Sequence, residues 1–439
     1  MCRVALLLLI CLLLMVSACD ARRQAFVPVD LPEEYEIPDY LPWERPEGGK
    51  EGRLYVTGEQ ALFDFDYMWA MLLQNATFLR MVDDHAGLLG FTFADVQKNS
   101  LAVRDEIARK DLIDLYDFWR LLRGSFGRLS GYGHLNLLTP DFVAYMREAL
   151  DYGQKTVEES RLLYSNMLEV LDAPKVKEAY ACLAQNFKVS GGGYDVTGRT
   201  DLGITLTYRG GVPVIRIPTA MYQGEQAERA VLRLNALMES CLEAEHLIID
   251  LRGNGGGNSE VLTRGVLEYL VKEPVKMDFV WVSGCGSLTR FLRGWDSVTL
   301  ENAEKNPPEN DSIGKLRKQF PAVFTKTDGL TPGEKCFSGK AWVLVDGGVA
   351  SAAEDFVILC KKAKLATLVG KRTKGGGMSS QPVVFSLPNS GLVVFFEDVA
   401  YIDDDGACNT LAGTEPDVIA SGDALEYCLT LIGQDGADE

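Results

Sequence analysis

Residues 247–257 read LIIDLRGNGGG, a short apolar run that leads through Asp250 into a cluster of glycines. An apolar run of this length, bounded by turn residues, is typical of a buried strand. The glycines allow positive φ angles, and they let backbone N–H groups point at a small anionic group. A phosphate-binding loop would need a following Gly-Lys-Ser/Thr, which is absent. The stretch predicts a buried strand and a tight turn, which is either structural or part of a site.

The sequence on both sides alternates between strand-like and helix-like patterns. Apolar residues at helical spacing follow the first strand, and further strand-like runs come after the glycines. This alternation predicts an α/β fold with a mostly parallel sheet, helices on its faces and function at the carboxyl ends of the strands. The predicted strands are 212–217, 246–252, 341–345, 366–369, 383–387 and 392–396, and the predicted helices include 259–272 and one from about 351.

A second turn that carries a candidate site residue occupies residues 345–354, VDGGVASAAE. The pattern places Ser351 at the end of a strand and the start of a helix. A serine there can cap the helix. Its hydroxyl can also act as a nucleophile, because the N–H groups and the dipole of the helix N-terminus favour a developing anion.

The N-terminal half differs in character, since residues 58–152 carry apolar residues at three- and four-residue spacing. We therefore predict a helical cap domain over residues 56–152 and a connecting helix and β-rich segment over 153–210. A core domain over 211–432 carries a polar insertion at about 285–337.

The first nineteen residues, MCRVALLLLICLLLMVSAC, have the order of a secretory signal. The apolar run is too short for a transmembrane helix, which needs about 20 residues. The quartet Val-Ser-Ala-Cys resembles the bacterial lipobox. It predicts a signal peptide over 1–18, a lipid anchor on Cys19 that holds the protein on a membrane of the bacterial cell envelope, and a linker over 19–55.

Composition excludes several classes of function. The chain of 439 residues has 44 Lys and Arg against 62 Asp and Glu, a net charge of −18 that would repel nucleic acid. The cysteines lack metal-ligand spacing, and neither a metal nor a nucleotide or other cofactor is expected. Cys285 and Cys336 flank the insertion and are the best candidates for a disulfide bond.

Taken together, LIIDLRGNGGG, VLVDGGVASAAEDF and LVGKRTKGGG resemble the C-terminal processing (tail-specific) serine peptidase family over about residues 205–432. The resemblance implies a crotonase-like α/β core. It also implies Ser351 as the nucleophile. The N–H of Ala352, with that of Gly256 or its neighbour Gly255, would form the oxyanion hole.

The general base distinguishes two branches of this family. In the Ser–Lys branch it is a lysine at the position of Gly376 here, with Lys374 two residues earlier. The tricorn-core and retinoid-binding-protein-like branch takes a histidine from an N-terminal cap, in a phrase such as LxDGH. The phrase Leu-Ser-Gly-Tyr-Gly-His at 129–134 resembles it and makes His134 the candidate base, although Tyr132 stands where the motif has Asp. A structural histidine is the alternative.

The third catalytic residue has the weakest signal. The segment 413–417, GTEPD, resembles the family's closing motif, and we take Glu415 as the candidate carboxylate. No clear PDZ domain precedes residue 212. The sequence thus predicts a lipid-anchored serine peptidase that acts on peptides or unfolded proteins through an acyl-enzyme. The alternative is a catalytically silent peptide- or ligand-binding lipoprotein on the same scaffold.

Overall fold

The computed structural model describes residues 31, 33–38, 43, 52–190, 202–295 and 311–435. The predicted signal peptide and Cys19 lie outside the described residues and stay predictions. Within these ranges, no helix combines the length and apolar character needed to cross a membrane.

Residues 52–190 are mainly helical. The first helix begins with a capping box, in which the Thr57 hydroxyl accepts from Gln60 N and the Gln60 side chain accepts from Thr57 N. The predicted domain boundary at residue 152 falls inside a helix, because the helical pattern continues past it. The elements are β1 (Tyr55–Thr57), α1 (Gly58–Asn75), α2 (Ala86–Leu89), α3 (Phe93–Ile107), β2 (Leu112–Asp114), α4 (Leu115–Ser125), β3 (Asn136–Leu137), α5 (Pro140–Thr156), α6 (Arg161–Asp172) and α7 (Pro174–Ser190).

Residues 202–435 alternate between strands and helices, as the sequence predicts. The elements up to residue 345 are β4 (Thr205–Arg209), β5 (Val212–Arg216), α8 (Gly224–Ser240), β6 (His246–Asp250), α9 (Ser259–Leu262), α10 (Glu268–Leu270), β7 (Val275–Ser283), α11 (Ser287–Arg293), α12 (Asp311–Gln319), β8 (Ala322–Leu330) and β9 (Lys340–Val345). Those that follow are α13 (Ala352–Lys362), β10 (Thr367–Gly370), β11 (Val383–Ser386), β12 (Val393–Phe396), β13 (Val399–Ile402), α14 (Asn409–Ala412), β14 (Val418–Ile419) and α15 (Ala424–Asp435).

The central sheet has six strands in the order β14-β10-β9-β6-β5-β4. Its strands are parallel except for β4, which pairs antiparallel with β5. Side chains of β6 and β9 alternate between two cores: Ile249 and Val343 face one, while Ile248 and Leu344 face the other with residues of α15. The prediction of an α/β fold is thereby confirmed as a mixed α/β fold with a central mixed sheet.

The N-terminal helices do not have a core of their own. Their buried residues belong to one apolar cluster that also contains the side chains of β11 and β12. These two strands pair with each other, and β12 pairs with β3 from the helical half. The C-terminal half therefore contributes a small sheet to the packing of the N-terminal helices.

The region predicted as a polar insertion at 285–337 contains more regular structure than expected. Its strand β8 pairs along its whole length with β7, and β13 completes this sheet. The proposed disulfide is wrong. Cys285 and Cys336 are free thiols whose sulfurs contact Ser283 O and Val271 O, respectively. The two cysteines flank the same insertion, but their sulfurs do not form a bond.

Candidate active site

The two glycine-rich turns lie side by side at one edge of the central sheet. They follow β6 and β9, which are parallel neighbours, so both strands end at the same edge. Gly253 N donates a hydrogen bond to Asp346 Oδ1 at 2.9 Å, and Ala350 N donates to Asn254 O at 3.2 Å. These bonds join the two turns into one unit.

Ser351 occupies a strained position immediately before α13. Its φ of 55° and ψ of −130° are uncommon for a residue with a side chain. Its side chain makes no capping hydrogen bond to the helix, while its backbone N donates to Gly375 O at 3.2 Å. The predicted alternative, a simple N-cap serine, therefore does not describe this residue. A strained backbone that presents a hydroxyl at a helix N-terminus favours a functional role.

Backbone donors stand beside this serine. Among the described residues, no hydrogen-bond acceptor engages the N–H groups of Ala352, Gly255 or Gly257, and both glycines line the same cleft as Ser351. Gly256 N instead donates to Asn254 Oδ1 at 2.9 Å. The candidate oxyanion donors are therefore Ala352 with Gly255 or Gly257, and the predicted donor Gly256 is already engaged by a side chain.

Gly256 has no side chain, and the close approach of the two turns depends on this. It has a φ of +95°, and a Cβ added there would lie 2.7 Å from Ser351 Cβ and 2.8 Å from Ala352 N. Contacts this short displace the backbone. Glycine at this position thus lets the two turns approach each other closely enough to share one site.

His134 is held at the end of a tight turn in the helical half, Tyr132–His134. The turn has no room for a side chain at Gly133, because an added Cβ would lie 2.3 Å from the Phe78 ring. Gly133 O accepts a hydrogen bond from Glu397 N at 2.7 Å, which attaches the turn to the end of β12. His134 itself has a φ of 55°, a second strained residue at the site.

The His134 imidazole pairs with a buried carboxylate. Its Nδ1 lies 2.9 Å from Oε1 of Glu397, whose side chain is completely shielded from solvent. The same carboxylate accepts hydrogen bonds from the Ser379 hydroxyl at 3.0 Å and from the Thr410 hydroxyl. With Nδ1–H donated to Glu397, Nε2 of the ring is left to accept a proton.

Glu397 replaces Glu415 as the carboxylate beside the histidine. The structure places Glu415 elsewhere, in an ion pair with Arg372. The prediction relied on the closing motif, whereas the carboxylate comes from the end of β12. A signal was present: the apolar run 392–396 ends abruptly in Glu397 and Asp398, and a carboxylate at the end of a buried strand is a candidate site residue.

The position of the family lysine, Gly376, packs against the histidine pair. A Cβ on Gly376 would lie 3.4 Å from His134 Cε1 and 3.3 Å from Glu397 Oε1, so a side chain there would require these neighbours to shift by a few tenths of an ångström. The ammonium of Lys374 lies 5.1 Å from the centroid of the Tyr132 ring. Tyr132, which departs from the family motif, therefore contacts a lysine.

The half-buried Asp355 and the buried Glu354 anchor the loop that carries Gly376, Asp355 directly and Glu354 through Asn409, which accepts a hydrogen bond from Gly377 N. Burial raises the pKa of Asp355 to about 6 and raises the pKa of Glu354 above its ordinary range. Asp355 accepts from Met378 N, and Glu354 accepts from the Asn409 amide at 3.0 Å. Both follow Ser351 in α13, so the loop and the nucleophile are fixed to the same helix.

Ser351 and His134 line one cleft of about 860 Å³ between the helical half and the edge of the sheet. Aromatic residues of α5, α6 and β12 are among those that line it, including Phe142, Tyr145 and Tyr164. Within the part of the chain that is described, no group of three or more His, Cys, Asp or Glu residues is placed to bind a metal. The cleft offers a hydroxyl, a base with its carboxylate and unpaired amides, the groups needed for acyl transfer.

Residues 211–420 match the model of peptidase family S41. This segment is slightly under half of the chain and contains both glycine-rich turns, Ser351 and Glu397. His134 lies outside it, in the helical half. The family match supports a protease function for the site described above.

Several solved structures are similar to this chain at low sequence identity and with TM-scores below 0.5. A candidate peptidase from Parabacteroides merdae is 16% identical with a TM-score of 0.49, covering 86% of this chain and 96% of that one. A lipoprotein from Streptococcus agalactiae is 13% identical with a TM-score of 0.42, covering 85% and 96%. The photosystem II D1 C-terminal processing protease is 18% identical with a TM-score of 0.31, covering 48% of this chain and 42% of that one.

Proposed function

We propose that this protein is a serine peptidase of family S41, with a crotonase-like core, that uses Ser351, His134 and Glu397 as its catalytic triad. The observation that carries the proposal is the pairing of His134 Nδ1 with the buried Glu397 in the cleft that Ser351 lines. The glycine at position 376, in place of the lysine of the Ser–Lys branch and packed against His134 and Glu397, also supports the histidine branch.

In the proposed mechanism, Ser351 Oγ attacks the carbonyl carbon of the scissile peptide bond while His134 Nε2 takes the hydroxyl proton. Glu397 orients the ring and stabilises the imidazolium that forms. His134 then gives the proton to the leaving amine, and the acyl group stays on Ser351. A water molecule activated by the same imidazole hydrolyses the ester and frees the serine.

Backbone amides would stabilise the negative oxygen of both tetrahedral intermediates. Ala352 N stands at the start of α13, where the helix dipole adds to its effect. Gly255 or Gly257 supplies the second donor from the facing turn. One donor of this kind contributes about 10²–10³ to kcat in a serine protease.

The substrates would be peptides or unfolded proteins, which can enter the cleft in extended form. The enzyme would be held in the bacterial cell envelope by lipid on Cys19, which the lipobox-like quartet at 16–19 supports. Mass spectrometry of the mature N-terminus tests this anchor, because an unmodified Cys19 or a different N-terminal residue contradicts it.

The alternative, a silent binding protein on the same scaffold, is not favoured. A binding protein needs neither a strained serine with an uncapped hydroxyl nor a histidine paired with a buried carboxylate. The family match also favours an active peptidase.

The proposal is tested with the mature protein and its Ser351→Ala, Glu397→Gln and Ser240→Ala variants. Wild type should cleave unstructured peptides and react with a fluorophosphonate probe, and Ser351→Ala should do neither. Glu397→Gln keeps the size of the side chain but removes its charge, and should lower kcat by up to about 10⁴-fold, as amide replacement of a triad carboxylate does. Ser240→Ala, at the end of α8, controls for serine removal elsewhere. Equal probe labelling of wild type and Ser351→Ala refutes the assignment.

A further inference from the structure

The proposed mechanism leaves Lys374 without a role. Its backbone N donates to Val349 O at 2.9 Å, in the turn that presents Ser351. Its Nζ lies 3.2 Å from where a Cβ on Gly131 would be, in the turn that presents His134. Lys374 therefore extends from the turn that supplies the nucleophile, which its backbone contacts, to the turn that supplies the base, where its ammonium lies, and it is among the residues that line the cleft.

Arg123, like Lys374, lies over an aromatic ring, that of Trp119. Arg264 instead bonds both carboxylate oxygens of Glu228, at 2.7 and 3.1 Å, and is occupied by that partner. Lys374, in contrast, has no carboxylate in an ion pair with it among the residues that the structure describes. Its contact with the Tyr132 ring holds the ammonium in place and leaves its N–H donors available.

From this placement we propose that Lys374 binds a carboxylate of the substrate and makes the cleft selective for peptides that carry one near the scissile bond. This inference rests on the proposed function. In an ordinary peptide the carboxylates are the side chains of Asp and Glu and the free C-terminus. A half-buried ammonium with free donors forms a charge-assisted hydrogen bond with either of them.

The placement also separates this role from that of a base. The ammonium lies beside Tyr132 and Gly131, while the imidazole and Glu397 lie beside Gly376, the position of the lysine in the Ser–Lys branch. A carboxylate bound by Lys374 would lie beside the reacting groups and would orient the substrate in the cleft.

The experiment uses two matched sets of quenched fluorescent peptides with the mature protein. One set carries Glu or Gln at successive positions on either side of the scissile bond, and the other carries a free or an amidated C-terminus. The variants are Lys374→Met, Lys374→Arg and the control Lys371→Met, which removes the same charge from the same loop outside the cleft. Thermal unfolding establishes that each variant is folded.

We expect wild type to prefer a carboxylate peptide over its amide partner by about tenfold in kcat/KM, which corresponds to about 1.4 kcal/mol. Lys374→Met should bring this ratio close to one, while Lys374→Arg and Lys371→Met should keep it. The set in which the preference occurs identifies the side chain or the C-terminus as the source.

Two results overturn the inference and leave the peptidase assignment in place. One is a ratio near one in wild type while cleavage still depends on Ser351. The other is a folded Lys374→Met that no longer labels with fluorophosphonate, which would make the lysine part of the proton transfer. Cleavage that persists in Ser351→Ala overturns the proposed function itself.

Discussion

Arg293→Gln should slow catalysis although Arg293 lies outside the cleft. Its guanidinium contacts both carboxylate oxygens of Asp398, with Nε at 2.8 Å and Nη2 at 2.5 Å. Asp398 directly follows Glu397, which pairs with His134. The ion pair therefore fixes the backbone of the residue that orients the base, and Arg293 is a positioning residue.

The magnitude follows from the burial of this pair. The side chains of Arg293 and Asp398 are 9% and 0% exposed. Removing one partner from such a pair costs about 3–5 kcal/mol, because the other charge stays buried alone. A displacement of Glu397 by about 1 Å would lower the rate by about 10²-fold. The loss should fall on kcat, since Arg293 is not among the residues that line the cleft.

A matched control exists in the helical half. Arg104 contacts both carboxylate oxygens of Asp66 at 2.8 Å, with side chains 23% and 9% exposed. Arg104→Gln should cost about 1.5–3 kcal/mol of stability, the range for hydrogen bonds to charged groups, and should leave kcat unchanged. Urea unfolding and steady-state kinetics are measured for both variants at a temperature where both are folded. A wild-type kcat for folded Arg293→Gln would refute the reasoning.

Two further predictions concern a close approach and a buried acid. Gly256→Ala should abolish Ser351 labelling by fluorophosphonate in a protein that still folds, because the new methyl group would lie 2.7 Å from Ser351 Cβ; normal labelling would contradict this. Burial raises the pKa of Asp64 to about 6 from 3.8, so the native state holds a proton that the unfolded state has lost between about pH 4 and 6. The contribution of Asp64 to the free energy of unfolding should therefore fall by about 3 kcal/mol as the pH rises from about 4 to about 6. Urea unfolding from pH 4 to 7 should show this slope in wild type relative to Asp64→Asn, and equal slopes would contradict it.

The sequence predicted the parts of the site that are local in the chain. An apolar run followed by glycines specifies a strand and a turn through residues that are neighbours, so the turns after β6 and β9 could be placed without a structure. The position of both turns at the carboxyl ends of strands, where function is expected, also followed from the predicted parallel sheet. Ser351 was chosen from the same local pattern and from the family resemblance, and its role stays a prediction.

The errors depend on contacts between distant parts of the chain. Glu397, which was missed, lies 263 positions from the predicted base His134, and no periodicity relates the two. Glu415 lies in a motif that resembles the family, yet Arg372 occupies its carboxylate. The engagement of Gly256 N by Asn254 depends on a side-chain rotamer, which a sequence pattern does not encode.

The shared apolar cluster of the N-terminal helices with β11 and β12 makes the candidate site depend on both halves of the chain. The proposed base comes from residue 134 and its carboxylate from residue 397, so neither half alone would hold the proposed triad. A fragment that spans only 211–420 would expose the apolar side chains of β11 and β12 that pack against the N-terminal helices. It would also carry Ser351 without the imidazole of His134. The proposed peptidase would consequently be inactive until both halves of the chain had come together.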